Sequence, residues 1–162
     1  MTRTDSAAAP EADAPRSGQK QYVTFMVGDR TYGVDIVSVR EIKQWTPATM
    51  LPNQPAYTRG VLNLRGTIVP VHDLRARFGG PLTEATDTHV VVIVWIGQQT
   101  IGILVDAVSD IITVSPDDVR PVPAGVGGAD EKAISGLVNT EAGLVSLLDL
   151  EGLFAANSEN AA

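Results

Sequence analysis

Short apolar runs, separated by polar or glycine-containing turns, follow one another along most of the chain. Four pairs of these runs flank a short turn, and each pair predicts a β-hairpin. The pairs are residues 22–27 with 31–34, 61–64 with 68–71, 90–96 with 100–105, and 137–138 with 144–147. Enrichment in Val and Ile with closely spaced turns is typical of a small β-barrel or sandwich rather than of a parallel sheet.

Helical signals are few and short. Asp73 and Asp149 each precede a short apolar stretch that ends in Phe, and each can cap a helix. Ser115, followed by proline and two acids, has the composition of a helix N-terminus. Apolar residues at 36, 39 and 42 favour one helical face, so we predict a short helix over 36–42, whereas 105–111 suits a continued strand.

The same pattern occurs twice in the chain. Residues 28–34 match 97–103 at a shift of 69 (97 minus 28), and residues 60–63 match 136–139 at a shift of 76 (136 minus 60). Self-similarity over such a period indicates two structurally related units. The change in shift implies an insertion, which the Gly- and Pro-rich segment 121–128 can hold. Units of about 60 residues are marginal alone, so the two copies should share a core.

We expect three regions along the chain. The leader, residues 1–20, is rich in Ala, Pro and Ser with no apolar run, which predicts disorder rather than a secretory signal. Residues 21–154 form the folded domain, with a first barrel at about 21–87 and a second at about 88–154, between which end strands can be exchanged. Residues 155–162 form a disordered tail.

Composition excludes several function classes. The absence of cysteine excludes disulfides, thiolate metal sites and a cysteine nucleophile. A formal charge of -7 argues against nucleic acid or anionic lipid as the main partner. The longest apolar run, 90–96, is too short to span a bilayer, so we expect a cytoplasmic protein without direct membrane insertion.

The two copies differ at two charged positions. Glu41 corresponds to Asp110, and Arg65 corresponds to Glu141. The first copy therefore offers an acid and a base, which can form a bidentate pair if the fold brings them together. The alternative is an ordinary surface salt bridge of little energetic value.

Several separated motifs resemble those of the CheW family of bacterial chemotaxis coupling proteins. The resemblance rests on residues 33–36, 39–42, 60–75, 102–108 and 134–154, and it covers about 21–154. It implies an all-β fold with a few short helices: two intertwined five-stranded SH3-like β-barrels related by a pseudo-two-fold axis.

The resemblance also implies a function without catalysis or cofactor. Members of this family are adaptors that couple the cytoplasmic tips of methyl-accepting chemoreceptors to the regulatory domain of the histidine kinase CheA. Contacts with other copies of the same chain, and recruitment from the cytoplasm to membrane-associated receptor arrays, belong to the same expectation.

The resemblance assigns specific residues to these contacts. Gly60 matches a position implied in kinase binding, and Gly66 matches a turn glycine. The receptor-binding groove is expected to contain Val39, Glu41, Ile42, Arg65, Val90 and Val108. From residue type alone, a core position is favoured for Val90, which lies inside the apolar run, whereas Val39 and Val108 suit the core and the groove equally. The two glycines can serve only backbone geometry.

Three other functions compete with this interpretation. A detached fragment of a chemotaxis kinase, or an adaptor fused to a receiver domain, would need further domains. A small hydrolase would use His72 and Asp73, although Asp73 is better explained as a helix cap. The only other histidine is His89, and no metal-ligand spacing is evident. The glycines at 125–128 lack the lysine of a phosphate-binding loop.

Overall fold

The computed structural model describes residues 18–123, 133–141 and 143–154. Most of the predicted leader, the tail at 155–162 and most of the insertion at 121–128 lie outside these residues. The described residues form ten strands: β1 Lys20–Val27, β2 Arg30–Asp35, β3 Val39–Gln44, β4 Thr58–Leu64, β5 Thr67–Asp73, β6 Val90–Ile96, β7 Gln99–Val105, β8 Ala107–Val114, β9 Ile134–Thr140 and β10 Gly143–Leu148. Helix α1 spans Leu74–Arg77, helix α2 spans residues 150–154, and 3-10 turns occur at Ile36–Ser38 and Pro116–Asp118.

All four predicted hairpins are confirmed. Strand β1 pairs with β2, β4 with β5, β6 with β7, and β9 with β10, each in antiparallel register. These pairings join neighbours in sequence across short turns, which is why the local apolar pattern was sufficient to predict them.

The strands form two five-stranded sheets, and each sheet contains strands from both copies. Sheet 1 has the order β8-β1-β2-β10-β9, and sheet 2 has the order β3-β6-β7-β5-β4. The first hairpin of each copy therefore lies in a sheet with the last three strands of the other copy. The sequence division near residue 87 is not a division in space.

Matching registers relate the two sheets by an approximate two-fold axis. In the parallel pairs, Leu147 lies opposite Gly33 and Val71 lies opposite Gly102. Gly33 corresponds to Gly102 under the repeat shift of 69, and Val71 corresponds to Leu147 under the shift of 76. Isolated bridges join Thr49 to Val61 in sheet 2, and Arg120 to Leu137 in sheet 1. Each bridge connects the chain beyond one edge strand to the opposite edge, so each sheet closes into a small barrel, and the predicted fold class is confirmed.

The two copies share a central core, as expected from their small size. This central core contains Phe25 and Val34 from sheet 1 and Val92 and Ile103 from sheet 2, all fully buried. Separate apolar clusters fill the interior of each barrel. Burying each large aliphatic side chain contributes about 1.5–3 kcal/mol, so the shared cluster couples the stability of the two barrels.

The short helices follow their predicted caps. The Asp73 carboxylate accepts hydrogen bonds from the backbone N–H groups of Arg75 and Ala76 and so caps α1. The Asp149 carboxylate accepts one from Gly152 at the start of α2. Ser115 and Asp118 form a capping box around the second 3-10 turn. Residues 107–111 also form a strand as expected, within β8, but a bend at Asp106 separates β8 from β7, which ends at Val105.

The helix predicted over 36–42 is wrong. Only Ile36–Ser38 makes a helical turn, and residues from Val39 onward form strand β3 against β6. The ladder has a bulge between Val39 and Glu41, and this extra residue shifts the alternation of side chains. Val39 and Ile42 therefore lie on the same face of a strand, and the bulge imitates the three-residue spacing of a helix.

Candidate functional site

Glu41 and Arg65, the charged positions at which the copies differ, meet in a bidentate ion pair. Arg65 Nη1 donates to Glu41 Oε2 at 2.6 Å, and Nη2 donates to Oε1 at 3.3 Å. Glu41 lies on edge strand β3, and Arg65 lies in the turn between β4 and β5. The expected approach of these two side chains is confirmed. Since 69% of the Arg65 side chain is exposed, the guanidinium remains available to a partner.

The turn that carries Arg65 has an unusual backbone. Leu64 pairs with Thr67, so Arg65 and Gly66 form a two-residue hairpin loop with φ values of 52° and 90°. The Asn63 side-chain carbonyl accepts the Gly66 N–H at 2.8 Å and holds the loop closed. Turns of this kind favour Asn or Gly at the first position, and an arginine there is strained. The left-handed backbone directs a long cationic side chain from a tight turn towards β3.

Electrostatics around the pair favour the charged forms of both side chains. The hydrogen bond from Arg65 lowers the pKa of Glu41 below its ordinary value, and the positive charges of Arg65, Lys43 and Arg40 act in the same direction. The hydrogen bond to Glu41 and its charge raise the pKa of Arg65. The pair therefore stays ionised over the physiological pH range.

Three of the predicted groove residues lie on the other face of the β3–β6 ladder. Val39 pairs with Val94, Ile42 with Val92, and Gln44 with Val90, whereas Glu41 pairs with Ile93. The side chains of Val92 and Val94 belong to the central core, and Ile93 belongs to the interior of sheet 2. Val39, Ile42 and Val90 thus share the central-core face of the ladder, and Glu41 points to the interior face.

The structure separates these apolar residues along the strands. Val39 and Val90 lie at opposite ends of the ladder, four residues apart along β6 and so about 14 Å. Val108 lies on β8, three residues after Val105, the partner of Val90. The three valines are half-buried and pack against the central core, and Ile42 is 45% exposed. The structure therefore places Val39 about 14 Å from Val90 along the ladder, and Val108 three residues beyond the partner of Val90.

Gly60 and Gly66 have different physical roles. A Cβ atom on Gly60 would lie 2.5 Å from the Thr49 carbonyl oxygen, and its φ is 138°. Gly60 thus permits the backbone bridge between Thr49 and Val61 that closes barrel 2, the barrel formed by sheet 2. Gly66 has no atom within 4 Å of an added Cβ, so its role is the left-handed conformation of the turn alone. A direct kinase contact at Gly60 stays a prediction.

His72 and Asp73 are both committed to the interior. The His72 ring is 5% exposed, forms a hydrogen bond between Nδ1 and Thr58 Oγ1 at 3.0 Å, and packs against Tyr57 and Phe154. Burial lowers the pKa of His72 to about 4. Asp73 is fully buried, and besides capping α1 it accepts the N–H and the hydroxyl of Thr83. These contacts give both residues structural roles.

Two charged contacts were not expected from the sequence. The Arg40 guanidinium stacks over the Trp95 ring at 4.9 Å, next to the Glu41–Arg65 pair in the chain. Asp106 accepts the Gly28 N–H at 2.7 Å and lies within 3.5 Å of both Arg75 and His89. Trp95, a large aromatic residue 44% exposed at the end of a buried run, was the available signal for the first contact.

Comparison with known proteins identifies the family. The CheW-like domain matches residues 21–158 of this chain. The chain belongs to the CheW-like family. It is 39% identical over 145 residues to the probable chemotaxis protein CheW of Rhizobium etli, covering 90% of this chain and 94% of that protein. It is 32% identical over 147 residues to the chemotaxis protein CheW of Bacillus subtilis, covering 91% and 94% respectively.

A solved structure of the same family has the same fold. The scaffolding protein TtCheW of Thermoanaerobacter tengcongensis superposes with a TM-score of 0.78 at 31% identity, covering 88% of this chain and 90% of that chain. Family membership places this CheW-like chain among chemotaxis scaffold proteins and not among enzymes. Within the described residues, no helix is long and apolar enough to cross a membrane, and no three His, Asp or Glu side chains are grouped as metal ligands.

Proposed function

We propose that this chain is an adaptor that couples the cytoplasmic tips of methyl-accepting chemoreceptors to the regulatory domain of a CheA-type histidine kinase. In this function it is a cytoplasmic protein recruited to membrane-associated receptor arrays, where it also contacts other copies of itself. The observation that carries the proposal is the exposed Glu41–Arg65 pair on a CheW-like fold.

The cost of placing Arg65 in its turn supports a role in binding. A left-handed arginine next to Gly66 is less stable than the glycine or asparagine that such turns favour. Backbone strain of this kind is typical of functional sites. An exposed ion pair adds little to stability, so the stability of the fold does not account for the arginine. Recognition of a partner does account for the arginine, because a rigid guanidinium on a tight turn presents its remaining hydrogen-bond donors in one orientation.

The groove residues fit the recognition of a helical receptor tip. Val39, Val90 and Val108 are half-buried and pack against the central core, and Ile42 is exposed on the same face of the β3–β6 ladder as Val39 and Val90. An amphipathic helix presents apolar residues along a stripe, so its partners can be spaced by the 14 Å that separates Val39 from Val90. Glu41 and Arg65 would then contact polar residues at the side of that helix.

Gly60 supports a kinase-binding surface through the segment that it allows to close. The bridge between Thr49 and Val61 holds the preceding loop, in which Met50 and Leu51 are exposed. A cavity of about 350 Å³ beside this loop is lined by Trp45, Met50 and Leu82 among other apolar residues, together with Thr58 and Arg59. In this proposal Gly60 acts by positioning the loop, and the apolar side chains contact the kinase.

The competing functions have less support. The relatives that the chain matches are named chemotaxis proteins CheW, which favours a coupling protein over a kinase fragment. A hydrolase using His72 and Asp73 is not supported, because both side chains are buried and already bonded to structural partners.

The experiment is a binding assay with two purified partners, a receptor cytoplasmic-tip fragment and the kinase regulatory domain. Arg65→Glu places two acids in contact and should weaken binding of the receptor tip at least tenfold, with a nearly unchanged melting temperature. Arg30→Glu, a charge reversal of another exposed arginine beside a hairpin turn, is the matched control and should bind normally. Unchanged receptor affinity of Arg65→Glu would remove the ion pair from the binding site.

A further inference from the structure

A cavity of about 590 Å³ opens at one end of barrel 1, the barrel formed by sheet 1. Its lining combines apolar side chains with hydroxyl groups and two carboxylates, and it includes Met26, Thr31, Ser109, Asp110, Ile112 and Glu141. Among the described residues, neither carboxylate is paired with a basic side chain. We call this the barrel 1 cavity.

The internal repeat shows what occupies the equivalent place in barrel 2. Under the shift of 69, Met26, Thr31, Ser109 and Asp110 correspond to Trp95, Thr100, Arg40 and Glu41; under the shift of 76, Glu141 corresponds to Arg65. The residues that line the barrel 1 cavity are thus the repeat equivalents of the charged site in barrel 2.

In barrel 2 this place holds two arginine side chains. Arg40 stacks over Trp95 at 4.9 Å, and its Nη1 donates to Thr100 Oγ1 at 3.4 Å. Arg65 forms the bidentate pair with Glu41. Barrel 2 therefore supplies its own guanidinium groups to a carboxylate, a hydroxyl and a large apolar side chain.

Barrel 1 keeps the hydrogen-bond acceptors of this site but lacks the two guanidinium groups that donate to them in barrel 2. Thr31 and Asp110 retain the hydroxyl and the carboxylate, and Met26 retains an apolar surface. Serine and glutamate replace the two arginines, at Ser109 and Glu141. This exchange shortens both side chains, and it replaces a cation with a second carboxylate.

We propose that the barrel 1 cavity receives the side chain of an arginine carried by a partner protein. A guanidinium can bind a carboxylate through two parallel hydrogen bonds and donate a further one to a hydroxyl, as the arginines of barrel 2 do together. Apolar surface at Met26 and Ile112 suits an apolar residue next to that arginine. The proposal concerns a different surface from the Glu41–Arg65 pair and does not depend on the function proposed above.

The probe is the peptide acetyl-Leu-Arg-Leu-amide, titrated into the full chain while methyl NMR signals are followed. We expect saturable shifts at Met26 and Ile112, and at least fivefold weaker binding when citrulline, a neutral analogue of similar shape, replaces arginine. The double variant Asp110→Asn, Glu141→Gln should weaken binding of the arginine peptide by the same factor or more. Glu84→Gln, which removes an exposed acid that does not line the cavity, should leave binding unchanged.

A second variant copies barrel 2 into barrel 1. Ser109→Arg with Glu141→Arg should fill the cavity with an internal pair to Asp110 and abolish peptide binding, while the circular dichroism spectrum stays that of a folded protein. Equal binding of the citrulline peptide, full affinity of the double amide variant, or shifts confined to residues outside the cavity would each overturn the proposal. Retained peptide binding in a folded double-arginine variant would overturn it as well.

Discussion

Gly60→Ala should destabilise the protein far more than the same change at Gly66. At Gly60 a Cβ would lie 2.5 Å from the Thr49 carbonyl oxygen and 2.8 Å from its carbon, and φ is 138°. The strained backbone costs about 1–3 kcal/mol. Relief of the clash would separate Thr49 from Val61, whose two backbone hydrogen bonds are 2.8 and 2.9 Å long. Each such bond contributes about 1 kcal/mol, so the total loss is about 3–5 kcal/mol.

Gly66→Ala is the matched control. Its φ of 90° strains an alanine, but no atom lies within 4 Å of the added Cβ, so the cost should be about 1–2 kcal/mol. Urea unfolding of both variants measures the difference, provided that the dependence of the free energy of unfolding on urea is unchanged. Equal losses of stability at the two positions would refute the close approach of Thr49 as the reason for Gly60.

Two further predictions concern buried polar groups. Burial lowers the pKa of His72 to about 4, so protons bind more readily to the unfolded chain below pH 6.5. The free energy of unfolding should therefore fall as the pH drops from 6.5 to 4, and the contribution of His72 to this fall is roughly 3 kcal/mol. The variant His72→Phe should lack this part of the pH dependence of thermal unfolding. An identical pH dependence in the variant would contradict the buried neutral histidine. The helix caps of the two copies should also differ: Asp73→Ala, which frees buried donors of α1 and Thr83, should cost at least about 3 kcal/mol. Asp149→Ala removes an exposed cap and should cost about 1 kcal/mol in the same urea assay, and equal costs would show that the bonds to Thr83 add nothing.

The sequence predicted the contact between Glu41 and Arg65, and the structure shows how the other candidate residues are arranged along the strands. The difference between the copies pointed to Glu41 and Arg65, and the two side chains meet. That Val39, Ile42, Val90 and Val108 form one apolar groove stays a prediction, because residue type says nothing about separation along a strand. Val39 and Val90 lie at opposite ends of the β3–β6 ladder, and the barrel 1 cavity was not expected at all.

Local patterns determined the elements whose partners are close in the chain. Hairpins and helix caps depend on turn residues and on apolar spacing over a few positions, and both are visible without a structure. The repeat, with its shifts of 69 and 76, also determined that the fold consists of two related halves. The contact of Glu41 with Arg65 followed from the same comparison, because only one copy carries opposite charges.

Only the tertiary structure decided how the halves combine. The first hairpin of each copy lies in the sheet of the other copy, and this exchange depends on pairing between strands far apart in sequence. A bulge between Val39 and Glu41 determined which side chains face the central core, and it made a strand resemble a helix. One inserted residue reverses the faces of all residues that follow it in a strand, so the face of each side chain was known only once β3 was paired with β6.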